Sequence, residues 1–501
     1  MPTTLPTISA TDNSVIDEVL VLGFALDKKS KKFSILSGEL RVDQGPLLQA
    51  LTDLGASGAS DEVIKLPGSA SKLILLTALT LKADGSIAHE VLRRAAGAAA
   101  RSLAGTTSAT FALPQASKQD FQAIAEGALL GAYTFDEFRG SSKADRKPAL
   151  KKVTIYSKKA KDKSYLQGIK RAEIIAKYTH LTRDLINTPP SHLTPDSFSQ
   201  RFKKLATSLG VKVEILNESQ LIKGGYGGII GVGQGSANPP RLLRLSYSGK
   251  GAKKRYAFIG KGITFDTGGL ALKPAQGMEA MKSDMSGAAA VCAAVLAIAE
   301  LKLPIHIDAW AALAENMVSD KATRPSDIIT IYGGKTVEVL NPDAEGRLVL
   351  ADAMVRAAEV GKKAGGLDGM VDVATLTGAQ VVALGTRTSA VMTNNENFRE
   401  QFLTLAEITG EAFWPMPLPE ELRASLDSPV ADMANIGDRM GGMLVAGLFL
   451  KDFVDSELPW LHLDIAGPAY NEAKAHGYTP VGGTGVALRT LVALAESSAA
   501  K

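Results

Sequence analysis

Residues 341–348 have the sequence Asn-Pro-Asp-Ala-Glu-Gly-Arg-Leu, with charged side chains at three alternate positions, Asp343, Glu345 and Arg347. Alternate residues of an extended segment project to one side, so we expect all three side chains to face the same space. Two carboxylates beside a cation, next to a helix N-terminus that attracts anions, suit metal-assisted hydrolysis. A solvated turn explains the same eight residues equally well, so the rest of the chain has to decide.

A helix is predicted directly after these eight residues, because residues 348–358 are apolar at helical spacing. Gly346 allows backbone conformations that are closed to other residues. The charged residues therefore lie where a strand or loop leads into a helix N-terminus.

A second group of candidate functional residues follows a strand predicted over residues 255–260. Lys261 and Asp266 lie in a glycine-rich loop, Lys273 comes next, and Asp284 stands at the start of an alanine-rich helix. Each has an ordinary structural explanation: a solvent-exposed lysine, a turn residue before two glycines, or an acid in the first turn of a helix. Neither group of residues decides the function by itself.

The sequence excludes several other kinds of catalytic site. It contains no HExxH zinc motif and no GxSxG nucleophile elbow, and it has only six histidines. Cys292 is the only cysteine and has apolar neighbours, so we interpret it as a buried structural residue. The glycine-rich residues 224–235 lack the spacing of a nucleotide-binding loop and indicate tight backbone packing instead. A hydrolytic metal site in this chain would therefore rest mainly on carboxylates.

With 501 residues, the chain is long enough for two or three domains. Strands alternate with helices through residues 1–165, which predicts a smaller N-terminal α/β domain. The predicted strands lie at residues 19–23, 73–76, 110–113 and 153–156, and the predicted helices at residues 47–54, 87–103 and 121–133. A long helical pattern then ends at Pro189 and Pro190, so we place a linking helix at residues 166–190 and a larger domain at residues 191–501.

Charge and hydropathy favour a cytoplasmic protein with no membrane partner. The net charge is only +4, although residues 139–163 carry ten Lys or Arg against two Asp. That stretch is either a solvated edge of the first domain or a patch for nucleic acid; its aromatic residues are not interleaved as a stacking surface requires, which favours the first. No N-terminal signal pattern is present, and the longest uncharged apolar run, residues 285–299, is shorter than a membrane span and predicts a buried core helix. A single cysteine fits a reducing compartment.

The two groups of charged residues belong to a pattern that resembles the leucine aminopeptidase (cytosolic aminopeptidase) family of two-metal exopeptidases. The resemblance covers about residues 165–495, in family order and with family-like spacing, whereas the N-terminal domain matches only in size and α/β alternation. The segments that carry it are residues 260–269, 273–274, 281–285, 341–348, 372–379, 432–435 with 439–442, and 459–467.

The resemblance implies two divalent ions, Mn²⁺ or Zn²⁺ with Mg²⁺ as an alternative. The implied metal ligands are Lys261, Asp266, Asp284, Asp343 and Glu345. In the family pattern Asp266 and Glu345 bridge the two ions, and Asp343 serves one of them and also offers its backbone carbonyl. Lys261 and Asp284 hold the other ion; the lysine must be neutral to do so, and adjacent cations would lower its pKa.

The resemblance also implies two catalytic positions, Lys273 and Arg347. Lys273 would stabilise the developing oxyanion, and Arg347 would hold a bicarbonate ion that acts as general base. Substrate contacts are implied at Met281, Thr375, Leu376 and Gly378, with Ala469 or its neighbours as a further candidate.

By this resemblance the chain is a leucyl aminopeptidase, a hydrolase that cleaves the N-terminal peptide bond of peptides through a hydroxide activated by two metal ions. Leu-type residues are the expected preference. The resemblance further implies a homo-hexamer, with a mixed sheet flanked by helices in the catalytic domain. An inactive relative with the same fold is the alternative, and the seven filled site positions argue against it.

Two residues depart from the family pattern. Pro342 stands where many members have threonine, and Thr267 replaces the usual serine. Proline removes a backbone N–H and biases the residue before it towards extended conformations. We expect the segment to be extended already, so the site geometry should tolerate Pro342.

Overall fold

The chain forms two compact units of different size. The structure is a computed structural model that describes residues 4–14, 16–68 and 71–499. The described residues of Met1–Leu181 and Glu472–Val481 form the first unit, and those of Thr182–Asn471 and Gly482–Lys501 form the second. The chain passes from the first unit to the second within one long helix, Lys163–Asn187.

The described part of the first unit contains seven strands and four helices, the last of which continues into the second unit. The strands are β1 (Thr7–Thr11), β2 (Val19–Leu26), β3 (Phe33–Leu36), β4 (Val63–Pro67), β5 (Leu73–Ala78), β6 (Ser108–Ala112) and β7 (Lys152–Tyr156). The helices are α1 (Gly45–Asp53), α2 (His89–Ser102), α3 (Lys118–Gly131) and α4 (Lys163–Asn187).

One sheet organises the first unit, in the strand order β1-β7-β6-β2-β5-β4 with β3 paired to β2. Strands β1, β7, β6, β2 and β5 are mutually parallel, whereas β3 and β4 are antiparallel to their partners. Helices α2 and α3 touch at their backbones, because a Cβ added at Gly127 would lie 2.0 Å from the carbonyl oxygen of Arg93. The predicted α/β alternation is confirmed, although the sequence does not predict β1, β3 or β4.

The second unit contains the remaining elements. Its strands are β8 (Lys212–Leu216), β9 (Arg241–Ser248), β10 (Arg255–Asp266), β11 (His306–Asn316), β12 (Asp327–Thr330), β13 (Thr336–Val339), β14 (Gly369–Ala374), β15 (Ser389–Thr393), β16 (Phe413–Pro415), β17 (Met433–Ala434), β18 (Trp460–Asp464), β19 (Tyr470–Asn471) and β20 (Gly482–Gly483). Its helices are α5 (Pro195–Thr207), α6 (Glu218–Gly224), α7 (Gly227–Gly233), α8 (Ser286–Glu300), α9 (Gly346–Lys363), α10 (Gly378–Leu384), α11 (Glu396–Thr409), α12 (Gly442–Lys451) and α13 (Leu488–Ala499).

An eight-stranded mixed sheet forms the centre of the second unit, in the order β16-β15-β18-β14-β10-β11-β9-β8. The four adjacent strands β18, β14, β10 and β11 are parallel, so their carboxyl ends lie at the same edge of the sheet. Loops at that edge commonly carry the ligand-binding residues of α/β proteins. The predicted mixed sheet flanked by helices is confirmed.

Helix α8 packs directly against β10 because both surfaces consist of small residues. A Cβ added at Gly260 of β10 would lie 2.4 Å from the Cα of Ala288. The helical stretch Met278–Glu300 is long and apolar enough to cross a membrane, but 94% of its apolar window is buried inside the protein. It is the buried core helix that the sequence predicts.

Candidate metal centre and active site

Three carboxylates converge at the edge of the sheet formed by the carboxyl ends of the parallel strands. Asp266 ends β10, while Asp343 and Glu345 lie just before α9. One carboxylate oxygen from each residue lies within 4.8 Å of those of the other two. Asp266 and Glu345 are buried, and Asp343 is partly exposed. We name these three residues the carboxylate half of the site.

Lys261 and Asp284 lie beside the carboxylate half, and we name them the lysine half. The Lys261 Nζ lies 2.9 Å from Asp284 Oδ1 and 2.8 Å from Glu345 Oε1. It also donates a hydrogen bond of 2.8 Å to the carbonyl oxygen of Thr375, at the end of β14. A Cβ added at Gly346 would lie 2.7 Å from Lys261 Cε, so glycine makes room for the lysine. The structure thus brings all five predicted metal ligands together.

Lys273 lies on the other side of the carboxylate half. Its Nζ is 2.9 Å from Asp266 Oδ2 and also forms an ion pair with Asp343. The Lys273 side chain is 22% exposed, against 4% for Lys261. Lys273 can therefore meet a molecule that arrives from solvent, whereas Lys261 is enclosed.

Residues 341–344 form a turn, so the expected extended conformation is wrong. The N–H of Ala344 donates to the carbonyl oxygen of Asn341 (3.0 Å), and the N–H of Asp343 donates to the Asn341 Oδ1 (2.9 Å). Pro342 takes the second position of this turn, where its fixed φ is favourable. Pro342 is buried and the other three turn residues are partly exposed, so this is not the fully solvated turn of the alternative hypothesis. The turn at residues 341–344, and not an extended backbone, brings Asp343 and Glu345 to the same site.

Two asparagines that sequence reasoning missed fix this turn and its neighbour Asp266. The Asn316 Nδ2, at the end of β11, donates to Asp266 Oδ1 (2.9 Å) and to the carbonyl oxygen of Pro342 (3.1 Å). The Asn435 side chain accepts from the N–H of Leu340 (2.8 Å) and donates to the carbonyl oxygen of Asn341 (2.7 Å). Asn316 follows a strand-like run, which was the one available signal for it.

Thr267, the second departure from the family pattern, also has a structural role. Its N–H and its hydroxyl both donate to the carbonyl oxygen of Asn316, at 3.0 Å and 2.9 Å. A serine hydroxyl at this position could donate the same hydrogen bond. The replacement therefore keeps the interaction and leaves the neighbouring Asp266 in place.

Arg347 lies in the first turn of α9 and is buried. Its Nη1 donates to the carbonyl oxygen of Asn435 (2.8 Å), and its guanidinium lies 5.9 Å from the centre of the Phe449 ring. No described residue accepts a hydrogen bond from its Nε or forms an ion pair with it. Burial lowers the pKa of Arg347 to about 10, against the opposing charges of Glu345 and Asp464. Arg347 is therefore a buried cation whose Nε–H has no acceptor among the described residues.

The four predicted substrate-contact residues have different structural surroundings. Thr375 joins the lysine half, since its hydroxyl donates to Asp284 Oδ1 (2.7 Å). The Leu376 N–H donates to Asp464 Oδ1 (3.1 Å). Met281 lies in a 3₁₀ turn, and its carbonyl oxygen accepts from the N–H of Asp284 (3.2 Å). Gly378 begins α10, with no described atom within 4 Å of where a side chain would start.

The charges of the site favour the binding of cations. Burial raises the pKa of both Asp284 and Glu345, because ionised carboxylates lose hydration there. Burial alone would lower the pKa of Lys261, yet the carboxylates of Asp284 and Glu345 outweigh it and raise the pKa. Lys261 must therefore lose a proton before it can ligate a metal. Among the described residues, none hydrogen-bonds to the buried Asp284 Oδ2, so the oxygen-rich donor set has spare capacity and fits divalent ions.

Comparison with known proteins identifies the family of the whole chain. The catalytic-domain profile of the cytosol aminopeptidase family matches residues 180–492, and the N-terminal domain profile of that family matches residues 24–142. The chain belongs to the cytosol aminopeptidase family. It is accordingly a metal-dependent aminopeptidase, and the resemblance found in the sequence is confirmed and extends to the N-terminal domain.

Relatives match the chain over nearly its full length. The probable cytosol aminopeptidases of Streptomyces avermitilis and Streptomyces coelicolor are 52% and 51% identical to it; the matches cover 99% and 96% of both chains. Among solved structures, the bottromycin maturation enzyme BotP in complex with Mn is 35% identical, with a TM-score of 0.84. That match covers 96% of this chain and 99% of BotP, so both units have counterparts there.

The basic residues 139–163 of the first unit are partly neutralised by acids of the same unit. Lys143, Lys152 and Lys161 pair with Asp136 (3.3 Å), Asp17 (2.9 Å) and Asp12 (2.7 Å). Exposed pairs of this kind are typical of a solvated surface. A role in nucleic-acid binding stays a prediction without support.

Proposed function

We propose that this aminopeptidase uses two divalent ions to release N-terminal residues, preferably Leu-type residues, from peptides. The observation that carries the proposal is the convergence of Asp266, Asp343 and Glu345, with carboxylate oxygens within 4.8 Å of one another. So dense a group of carboxylates, two of which are buried, is stable only with cations among them. The two lysines supply part of that charge, and divalent ions would supply the rest.

Five side chains would hold the ions: Lys261, Asp266, Asp284, Asp343 and Glu345. By the family resemblance, Asp266 and Glu345 would be the ligands shared by the two ions; Glu345 belongs to the carboxylate half and also pairs with Lys261 of the lysine half at 2.8 Å. BotP was solved in complex with Mn, so Mn²⁺ is the first ion to test, with Zn²⁺ and Mg²⁺ as alternatives. When bound, such ions lower the pKa of a water molecule and polarise the carbonyl of the scissile bond.

Lys273 and Arg347 would each contribute a positive charge to the reaction. The carboxylates of Asp266 and Asp343 outweigh partial burial and raise the pKa of Lys273, so its ammonium stays charged at neutral pH. A fixed positive charge there would stabilise the oxyanion that develops at the scissile carbonyl. Arg347, with its unused Nε donor at a helix N-terminus, would hold a bicarbonate ion as proton acceptor.

Peptides are the proposed substrates, with Met281, Thr375, Leu376 and Gly378 as the contacts. Thr375 and Met281 touch Asp284 directly, so a substrate bound beside the lysine half would meet them first. Release of one residue at a time would follow if the free α-amine of the peptide binds at the metal centre. We also propose a cytoplasmic homo-hexamer, which follows from the family and would place the sites inside a cavity.

Hydrolysis of Leu-p-nitroanilide by metal-stripped protein tests the proposal. Activity should vanish on chelation and return with Mn²⁺ or Zn²⁺, and N-acetyl-Leu-p-nitroanilide should not be cleaved because its amine is blocked. Circular dichroism of the stripped protein controls for loss of fold. Folded protein that remains inactive with every metal would refute the proposal, and equal cleavage of the acetylated substrate would refute exopeptidase action.

A further inference from the structure

Asp464 is a fully buried carboxylate that the proposed mechanism does not use. It is the last residue of β18 and lies opposite Ala374 of the parallel strand β14. Because β14 also neighbours β10 in the parallel sheet, Asp464 lies at the same edge as the metal centre. Asp464 is therefore a buried acidic residue at the edge of the metal centre that has no role assigned so far.

The Asp464 side chain accepts hydrogen bonds from the loop that follows β14, residues 375–377. Its Oδ1 accepts from the N–H of Leu376 (3.1 Å) and from the N–H of Ala466 (3.2 Å). Its Oδ2 accepts from the hydroxyl of Thr377 (2.7 Å). One side chain thereby joins the ends of two strands and fixes two consecutive loop residues.

That loop holds both members of the lysine half. Thr375 accepts from Lys261 Nζ through its carbonyl oxygen (2.8 Å) and donates to Asp284 Oδ1 through its hydroxyl (2.7 Å). Thr375 is bonded directly to Leu376, the residue that Asp464 holds. In contrast, Asp266 and Asp343 are held by Asn316 and by the turn, through hydrogen bonds that do not involve the loop.

The surroundings of Asp464 act on the charge of its carboxylate in opposite directions. Burial raises the pKa of Asp464, and His462, two residues earlier on β18, opposes that increase. The His462 Nδ1 lies 2.5 Å from Asp372, whose other oxygen accepts from the Trp460 indole N–H (2.7 Å). An asparagine could form most of the same hydrogen bonds without a charge.

We propose that Asp464 is a positioning residue for the lysine half of the metal centre. By holding Leu376 and Thr377 it fixes Thr375, and through Thr375 it aims the Lys261 amine and the Asp284 carboxylate at one metal position. The proposal rests on the proposed two-metal function. Side chains that orient metal ligands typically change metal affinity by 10–100-fold when they are removed.

Calorimetric titration of the metal-stripped full chain with Mn²⁺ tests this role without measuring activity. Asp464→Ala should weaken one of two Mn²⁺ sites by about 10-fold or more and leave the other within about threefold. Asp464→Asn should keep both affinities within about threefold, because its carbonyl oxygen accepts from the loop N–H groups and its amide can donate to Thr377.

Glu411 offers a matched control in the same unit. It is buried, and its Oε2 accepts from both the N–H (3.0 Å) and the hydroxyl (2.6 Å) of Thr490. Glu411→Ala should lower the melting temperature and leave both Mn²⁺ affinities unchanged. If Asp464→Ala does not fold, Thr377→Val replaces it, with Thr490→Val as its control.

The outcomes separate the two proposals. Wild-type protein that binds no Mn²⁺, Zn²⁺ or Mg²⁺ would overturn the proposed function itself. Wild-type protein with two sites, alongside Asp464→Ala or Thr377→Val with both affinities intact, would overturn only the positioning role. Equal losses in the Asp464 and Glu411 variants would also overturn it, since they would indicate general destabilisation.

Discussion

The two halves of the metal centre are assembled in different ways. In the carboxylate half, Asp343 and Glu345 are two residues apart, and a single turn brings them together. In the lysine half, Lys261 and Asp284 come from separate segments, pair directly at 2.9 Å and both bond to Thr375 on a third segment. The first half is therefore mainly a local structure, whereas the second depends on the order of the strands.

This difference predicts that substitutions in the two halves impair the metal centre in different ways. Changes to the turn should act on the chemistry without disturbing the sheet, because the turn carries its own hydrogen bonds. Changes around the lysine half should act through packing, because small residues of α9 and the loop after β14 enclose Lys261.

Glu345→Ala should abolish turnover. Glu345 belongs to both halves, since it lies in the carboxylate cluster and pairs with Lys261 at 2.8 Å. In the proposed site Glu345 is a ligand shared by both ions, so Mn²⁺ binding measured by calorimetry should weaken together with Leu-p-nitroanilide hydrolysis. Glu359→Ala, which removes a more exposed carboxylate of the helix α9 that follows Glu345, is the control and should keep normal activity. Near-normal turnover in Glu345→Ala would show that the shared role is wrong.

Lys273→Met should reduce kcat by about 10²–10³-fold with little change in KM, the range expected when a charge that stabilises an oxyanion is removed. Because Lys273 pairs with Asp266 and Asp343, its loss should leave Mn²⁺ affinity unchanged or improve it. Lys273→Arg retains the charge and should recover part of kcat. A Mn²⁺ affinity that falls tenfold in Lys273→Met would instead identify Lys273 as a ligand.

The sequence predicts the parts of this site that depend on local order. The spacing of Asp343 and Glu345 and the apolar helix after them are visible in a single segment, although that spacing predicts an extended segment where the structure has a turn. The sequence predicts that Pro342 is tolerated because the segment is extended, whereas it occupies a turn position that suits proline. Asn316, Asn435 and Asp464 were missed because their partners lie on other segments and only the strand order brings them together.

The distinction between local and long-range order also explains which strands the sequence predicts. Strands such as β2 and β5 are continuous apolar runs, and a buried parallel sheet requires that pattern. The strands β1 and β4 lie at the two edges of their sheet; β1 is polar in part, and β4 ends at Pro67. Edge strands need less burial and tolerate proline, so their sequences carry a weaker signal.

Gly346→Ala should weaken the lysine half while the fold persists. The added Cβ would lie 2.7 Å from Lys261 Cδ and Cε, and the amine is held by three partners and cannot move freely. Overpacking of this kind costs about 1–3 kcal/mol of unfolding free energy, which urea denaturation measures. One Mn²⁺ site should weaken and the other should not. Gly168→Ala, whose Cβ would meet only Gln122 Cβ at 3.9 Å, is the control; equal effects of both variants would contradict the packing argument.

Pro342→Ala should have the smallest effect, because alanine can adopt the same turn and Asn341 still accepts from Asp343 and Ala344. The chain gains freedom in the unfolded state, which costs roughly 0.4–1 kcal/mol of unfolding free energy in urea. Turnover of Leu-p-nitroanilide should stay within about twofold, and Pro342→Thr, which introduces the residue common in the family, should behave alike. A tenfold loss of turnover in both variants would mean that proline itself shapes the carboxylate half, and the turn could no longer be regarded as fixed by its hydrogen bonds. The carboxylate half could then no longer be described as fixed by local structure, and its contrast with the lysine half, which depends on the order of the strands, would be lost.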